Sequence, residues 1–441
     1  MNILRNIIRT AVAVLLVAAA VSCNKHKTDP VDPNRNVLLF YECGFNSLAS
    51  ALDDNMNSET AGLPAGFIPA QTGNVLLVYS RIARSNYNYT PVKSYLRRIY
   101  KRKSGRIVSD TLLTFNDGVI ASSSSTLREV LEYTKENFQG RGYGLVISSH
   151  GSGWLPTGYY FNPKAFEKNH AGEVVTSSAA NRPALGRTDG RLPVPEGTLA
   201  ETDPFYGKTR SICQDEVKNG GTAYEMSVGE VAEAITYHLD YLLFDMCLTG
   251  GVEVAYGLKD KASYIGLSPA EVLDMGMYDY SKIASFLIGG TEPDLEGLFK
   301  DSFDRYDKES GWYRSATVNL VRTDGLDNLA EVTARLIDEY ADTLAKAPTS
   351  RIQGYFRNSR HYFYDLVDIF TECGASEADI EELQSAVDGC VVYKNATPNF
   401  LGDFDIDTYS GFSMYLPCAG TALLDTYYRK EAWNEAVKLV K

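Results

Sequence analysis

The chain has 441 residues, of which 44% are hydrophobic and 22% charged, enough apolar material for more than one packed core. Its formal net charge of −13 leaves no basic footprint for phosphate backbones, which excludes nucleic acid as the expected partner. The same field attracts cationic peptides.

At the N-terminus, Arg5 and Arg9 precede an apolar run from Ala11 to Val21. That run is too short to span a bilayer and has the layout of a secretory signal. Small residues stand directly before Cys23, which resembles a bacterial lipoprotein signal with Cys23 as the lipidated first residue of the mature chain. An ordinary signal, or a short anchor with an incidental cysteine, is the alternative. On the lipoprotein reading, residues 1–22 are removed and residues 23–36, with Pro30 and Pro33, form a solvated tether. The protein is then exported and held through its lipid alone to a bacterial membrane, expected to be the outer one, with the periplasmic and cell-surface faces both open.

Val37 to Tyr41 and Val75 to Tyr79 read as apolar strands, and Leu96 to Phe115 as a hairpin turning at Lys103, Ser104 and Gly105. Leu127, Val130, Leu131 and Phe138 fall at helical spacing, as do Val228, Val231, Ala232 and Ile235. Two near-continuous apolar runs, Gly144 to Ile147 and Tyr241 to Phe244, suit the interior of a mostly parallel sheet covered on both faces. Alternating strands and helices imply an α/β/α sandwich over residues 37–280. An insertion over about 155–224 interrupts it, marked by Pro163, Pro183, Pro193, Pro195 and Pro204 without a sustained period. After residue 280 the pattern changes. Leu329, Val332, Leu336, Ile337, Tyr340 and Leu344 form a core-facing helical stripe, and Thr317 to Val321 and Phe412 to Leu416 read as strands. Residues 281–441 are therefore expected to form a C-terminal α+β domain packed on the first.

Each of the two apolar runs breaks into glycines shortly after a reactive side chain. One gives SSHGSGW from Ser148 to Trp154, the other LLFDMCLTGG from Leu242 to Gly251. Ligands of such sheets bind beyond the carboxyl ends of the strands, so His150 and Cys247 would share one sheet edge. A free thiol is mostly protonated at neutral pH, and an adjacent imidazole is its usual activator. Taken singly, a buried structural histidine and an inert buried cysteine are the plainer readings. The paired context favours a catalytic dyad.

These segments, with IGLSPAEV from Ile265 to Val272 and SGFSMYLP from Ser410 to Pro417, resemble the clostripain family of cysteine peptidases, whose catalytic domain is caspase-like. The resemblance covers roughly residues 36–420. It implies an endopeptidase with Cys247 as nucleophile, His150 as general base and acid, and a thioacyl-enzyme intermediate. It also implies an oxyanion hole from the N–H groups of Gly151 and Cys247. Asp245, two residues before the nucleophile, would line the pocket for the residue preceding the cut bond, favouring Arg and less readily Lys; a strand-end carboxylate capping nearby N–H groups is its alternative. Glu271 or Asp274 would supply a second acid, although Pro269 and Ala270 depart from the family's more acidic segment. Self-processing between His150 and Cys247 is a further implication, with Arg182, Arg187, Arg191, Lys208 and Arg210 as candidate cut sites. No third group orienting His150 is legible.

The chemistry needs no cofactor, and no catalytic zinc is expected in the absence of HExxH, although family members can use structural calcium. Cys43, Cys213, Cys373, Cys390 and Cys418 form neither a CxxC knuckle nor a dense framework, and most are expected to be buried thiols. The expected partner is a peptide or protein substrate, and the expected state a monomer. The rival reading is a non-catalytic surface lipoprotein that binds peptide or glycan on a degenerate peptidase scaffold, an idea to which the 29 tyrosines lend some support.

Overall fold

The long apolar runs become strands because their side chains find cover on both faces. The computed structural model describes residues 34–63, 73–160, 163–173, 211–216, 223–357 and 362–441. Nine strands form one mixed sheet: β1 (Asn36–Gly44), β2 (Val75–Ile82), β3 (Ser94–Lys101), β4 (Ile107–Phe115), β5 (Gly142–Ser148), β6 (Leu239–Asp245), β7 (Ala262–Leu267), β8 (Thr317–Arg322) and β9 (Val391–Ala396). Their order is β9-β8-β7-β6-β5-β1-β2-β3-β4. The five central strands are parallel, and antiparallel pairs flank them on each side. The two strands from the region after residue 280, β8 and β9, extend this same sheet.

The strand period of two sorts side chains into two cores. Leu39, Tyr41, Leu145, Ile147, Leu242 and Phe244 face one layer, with helices Ser124–Asn137, Val228–Ala234, Val252–Gly257 and Leu326–Glu339. Leu38, Phe40, Val146 and Leu243 face the other, with Ile283–Ile288 and Leu295–Asp307, while Ala49–Gly62 packs over β1 and β2. The result is an α/β/α sandwich. Caps fix where helices start: Ser227 and Glu230 make a reciprocal capping box, and Ser123 accepts the Thr126 N–H. The stripe beginning at Leu329 lies on Leu326–Glu339 and buries Leu329, Val332, Leu336 and Ile337. The expected strand near Phe412 is only Ser413–Met414, paired with Tyr364–Asp365.

Two carboxyl groups lie inside this architecture without hydrogen-bond partners among the described residues. Glu42, on β1, and Glu59, on helix Ala49–Gly62, are both fully buried. Burial pushes both well above the usual carboxylate range, and at Glu59 the neighbouring Glu42 adds to the rise. A folded state that keeps these protons while the unfolded chain releases them loses stability as pH rises above the ordinary glutamate range, and keeps it in full below. Glu59→Gln should therefore be more stable than wild type at pH 7.5. The advantage should shrink toward pH 4, at up to about 1.4 kcal/mol per pH unit. Urea melts at both pH values check this; a gap independent of pH would refute it.

Candidate active site

Register places the two reactive residues at neighbouring strand ends. Ser148 on β5 pairs with Asp245 on β6, and the Ser149 N–H donates to the Asp245 carbonyl at 3.4 Å. His150 and Cys247 each lie two residues beyond that pair. The loops behind them touch as closely as backbones allow. A Cβ on Gly151 would lie 2.9 Å from the Cys247 carbonyl oxygen, and one on Gly153, whose φ is +63°, would lie 2.4 Å from that of Leu248. Leu248, directly after Cys247, is itself left-handed at φ 58°. Such strain in a non-glycine residue persists only where its surroundings fix it. Here the Leu248 N–H donates to the Ala270 carbonyl at 2.9 Å and the Gly250 N–H to that of Ser268 at 2.8 Å.

The imidazole has a partner that sequence reading missed. Ser47, in the turn after β1, sits with its Oγ 2.9 Å from His150 Nε2. The turn is held by Asn46, whose Nδ2 donates to the carbonyls of Cys43 at 2.7 Å and Gln214 at 2.9 Å. A short described segment within the expected insertion, residues 211–216, straps this corner. Ser152 donates to the Ser211 carbonyl at 2.8 Å, Gln214 to Ser149 Oγ at 3.1 Å, and Glu216 to the Phe45 carbonyl at 2.8 Å. A buried ion pair from Arg81 on β2 to Asp215, at 2.7 Å, fastens the strap, and burial outweighs that arginine to lift the Asp215 carboxyl to about 6.

The thiol is closed in. Cys247 is 8% exposed and His150 1%. The sulfur accepts the Val272 N–H at 3.2 Å and faces the Val272 carbonyl at 3.5 Å. Burial, then the charge of Glu271, pushes the thiol up to about 12, so it is protonated at neutral pH in this closed arrangement.

The three candidate pocket acids fare differently. Asp245 is buried, accepting the Met277 N–H and the Tyr280 hydroxyl, each at 2.6 Å; Tyr280 in turn contacts Ser148 Oγ at 2.7 Å. This is the capping arrangement that sequence reading held as the alternative, and burial raises this carboxyl despite both donors. Glu271 is buried beside the sulfur's partner Val272 and accepts from Arg357 Nε at 2.6 Å. Asp274 is exposed. Cys43, Cys213, Cys373 and Cys390 are buried thiols and Cys418 is half-buried, with no disulfide among the described residues. Cys23, Arg182, Arg187, Arg191, Lys208 and Arg210 lie outside the described residues.

Trp154 of the histidine motif packs against Tyr415 and Tyr428, with ring centroids 4.8 and 4.9 Å away. Both tyrosines close on Glu253, just after the cysteine loop, through the Tyr415 N–H at 2.9 Å and the Tyr428 hydroxyl at 2.8 Å. Burial lifts that carboxyl to about 7.

An imidazole and a thiol on adjoining strand ends of a doubly covered sheet define a cysteine peptidase of caspase-like architecture. A sequence model of the clostripain family matches residues 197–426, more than half of the chain, and the chain belongs to that family. Three solved structures share the fold. An inactive zymogen C11 protease from Parabacteroides distasonis is 23% identical with a TM-score of 0.67, over 92% of this chain and 99% of that one. A secreted C11 cysteine protease from Bacteroides thetaiotaomicron in complex with an irreversible peptide inhibitor is 20% identical with a TM-score of 0.66, over 92% and 99%. A further structure of a secreted protease from that organism, "iotapain", is 20% identical with a TM-score of 0.67, over 92% and 100%. No curated protein matches the chain.

Proposed function

We propose that the protein is an exported, lipid-anchored cysteine endopeptidase that cuts after Arg, and less readily Lys, through a thioacyl-enzyme. The observation that carries the reading is the placement of His150 and Cys247 on adjoining strand ends with their loops in backbone contact. In the open enzyme His150 takes the thiol proton, the Cys247 sulfur attacks the scissile carbonyl, and the imidazole returns the proton to the leaving amine; water then cleaves the thioester. The N–H groups of Gly151 and Cys247 receive the developing oxyanion. Ser47 orients the imidazole through its contact with Nε2.

The basic preference is supported by the acids around the nucleophile. Glu271 and Asp245 both act on the Cys247 charge, and Glu271 already holds a guanidinium. The exposure of Asp274 favours Glu271 as the second acid. The buried dyad and protonated thiol suit a latent precursor that opens on cleavage within the insertion.

Fluorogenic peptides ending in Arg, Lys, Asp or Leu, offered before and after limited proteolysis, test the reading. Thiol-dependent cleavage of the Arg peptide is expected. Absence of cleavage of all four would count against an enzyme and for a binding scaffold. Mass spectrometry of the same sample reads a break between residues 155 and 224 and a lipid on Cys23. Ser47→Ala should lower kcat by about tenfold with a shifted pH profile, and Ser47→Thr should restore both. A kcat unchanged in Ser47→Ala would remove Ser47 from the machinery.

A further inference from the structure

We propose that Arg357 is a built-in occupant of the basic-residue pocket, which competes with the substrate side chain for Glu271 and thereby sets how readily arginine substrates bind. The proposal rests on the reading of Glu271 as a pocket acid.

Glu271 precedes Val272, the residue whose backbone holds the nucleophile's sulfur, so its carboxylate lies one residue from the reacting atom's contact. Arg357 Nε donates to it at 2.6 Å, with both side chains buried. This is the charge-assisted contact that a substrate guanidinium would make. A buried ion pair is weak evidence of a stabilising role, because desolvating both charges offsets their attraction. Its position beside the nucleophile therefore calls for a chemical account. Arg357 lies two residues after Tyr355, whose N–H donates to the Phe363 carbonyl at 2.9 Å and whose hydroxyl donates to Asp365 at 2.6 Å.

The exit route is also present. Arg357 Nη1 reaches Asp403 at 3.2 Å, and that carboxylate is half-exposed. A guanidinium leaving Glu271 keeps a partner at the surface. The exchange is charge-neutral at the thiol: Glu271 raises the Cys247 thiol and Arg357 lowers it, so replacing one guanidinium by another leaves that balance unchanged. A neutral substrate side chain displaces nothing, because it offers Glu271 no counter-charge.

The test compares wild type with Arg357→Gln and Asp403→Asn, each after proteolytic activation. In Arg357→Gln, KM for the Arg-ending peptide should fall by about tenfold with kcat nearly unchanged, while KM for the Leu-ending peptide stays put. Asp403→Asn should raise KM for the Arg-ending peptide, because Arg357 loses its exit partner. Methylguanidinium should raise the melting temperature of Arg357→Gln and not that of wild type. A folded Arg357→Gln with unchanged or raised KM for the Arg-ending peptide, or with equal shifts for the Arg and Leu peptides, overturns the proposal. So does equal stabilisation of both proteins by methylguanidinium. If no form cleaves any peptide while methylguanidinium still stabilises Arg357→Gln selectively, the endopeptidase reading fails and the occupancy of Glu271 by Arg357 stands.

Discussion

Cys247→Ala should abolish peptide cleavage, a fall of about a millionfold in kcat, with the fold intact. Alanine removes only the sulfur, whose partners are the N–H and carbonyl of Val272, and leaves the backbone bonds of Leu248 and Gly250 in place. His150→Ala should cost about as much, and the double variant little more than either, because a nucleophile and its base act as one unit. Steady-state rates on the Arg-ending peptide, with circular dichroism as the folding control, decide the matter. Cleavage that persists in Cys247→Ala would remove the assigned nucleophile.

Gly153→Ala should be the most damaging single-methyl change near the site. Its φ of +63° penalises any side chain, and the added carbon would stand 2.4 Å from the Leu248 carbonyl oxygen, a backbone atom. Leu248 cannot yield easily, being itself left-handed and pinned through its N–H to Ala270. A stability loss of about 3 kcal/mol is expected in urea melts. Gly105 is the control: it shares the positive φ, at +81°, but nothing lies within 4 Å of its added carbon. Gly105→Ala should lose only about 1 kcal/mol. Equal losses at the two positions would show that backbone strain alone, and not the meeting of the two loops, governs Gly153.

What the sequence disclosed and what it hid divide along the distance between interacting residues. β1, β5 and β6 were legible because apolar runs are local signals, and His150 and Cys247 stood out because Gly151 directly follows the one and Gly250 and Gly251 lie just beyond the other. The hairpin of β3 and β4 was legible from its turn. Ser47 was invisible, since it reaches His150 across 103 positions and carries no local pattern. Arg357 meets Glu271 across 86 positions in an irregular loop, so no period could announce it. Glu42 and Glu59 sit where hydrophobic patterning predicts apolar groups. The capping of Asp245 was only an alternative, because its donors, Met277 and Tyr280, come from a segment that had been read only for its acids.

The β5–β6 ladder has a consequence for any break in the chain between His150 and Cys247. One fragment would carry β1 to β5 with the imidazole, the other β6 to β9 with the thiol. Neither half would own a site, and they would be seamed through the middle of a buried parallel sheet, with Trp154 of the first fragment clasped by Tyr415 and Tyr428 of the second. The two pieces would behave as one cooperative body on a denaturing gradient, and as two bands only once that body is unfolded.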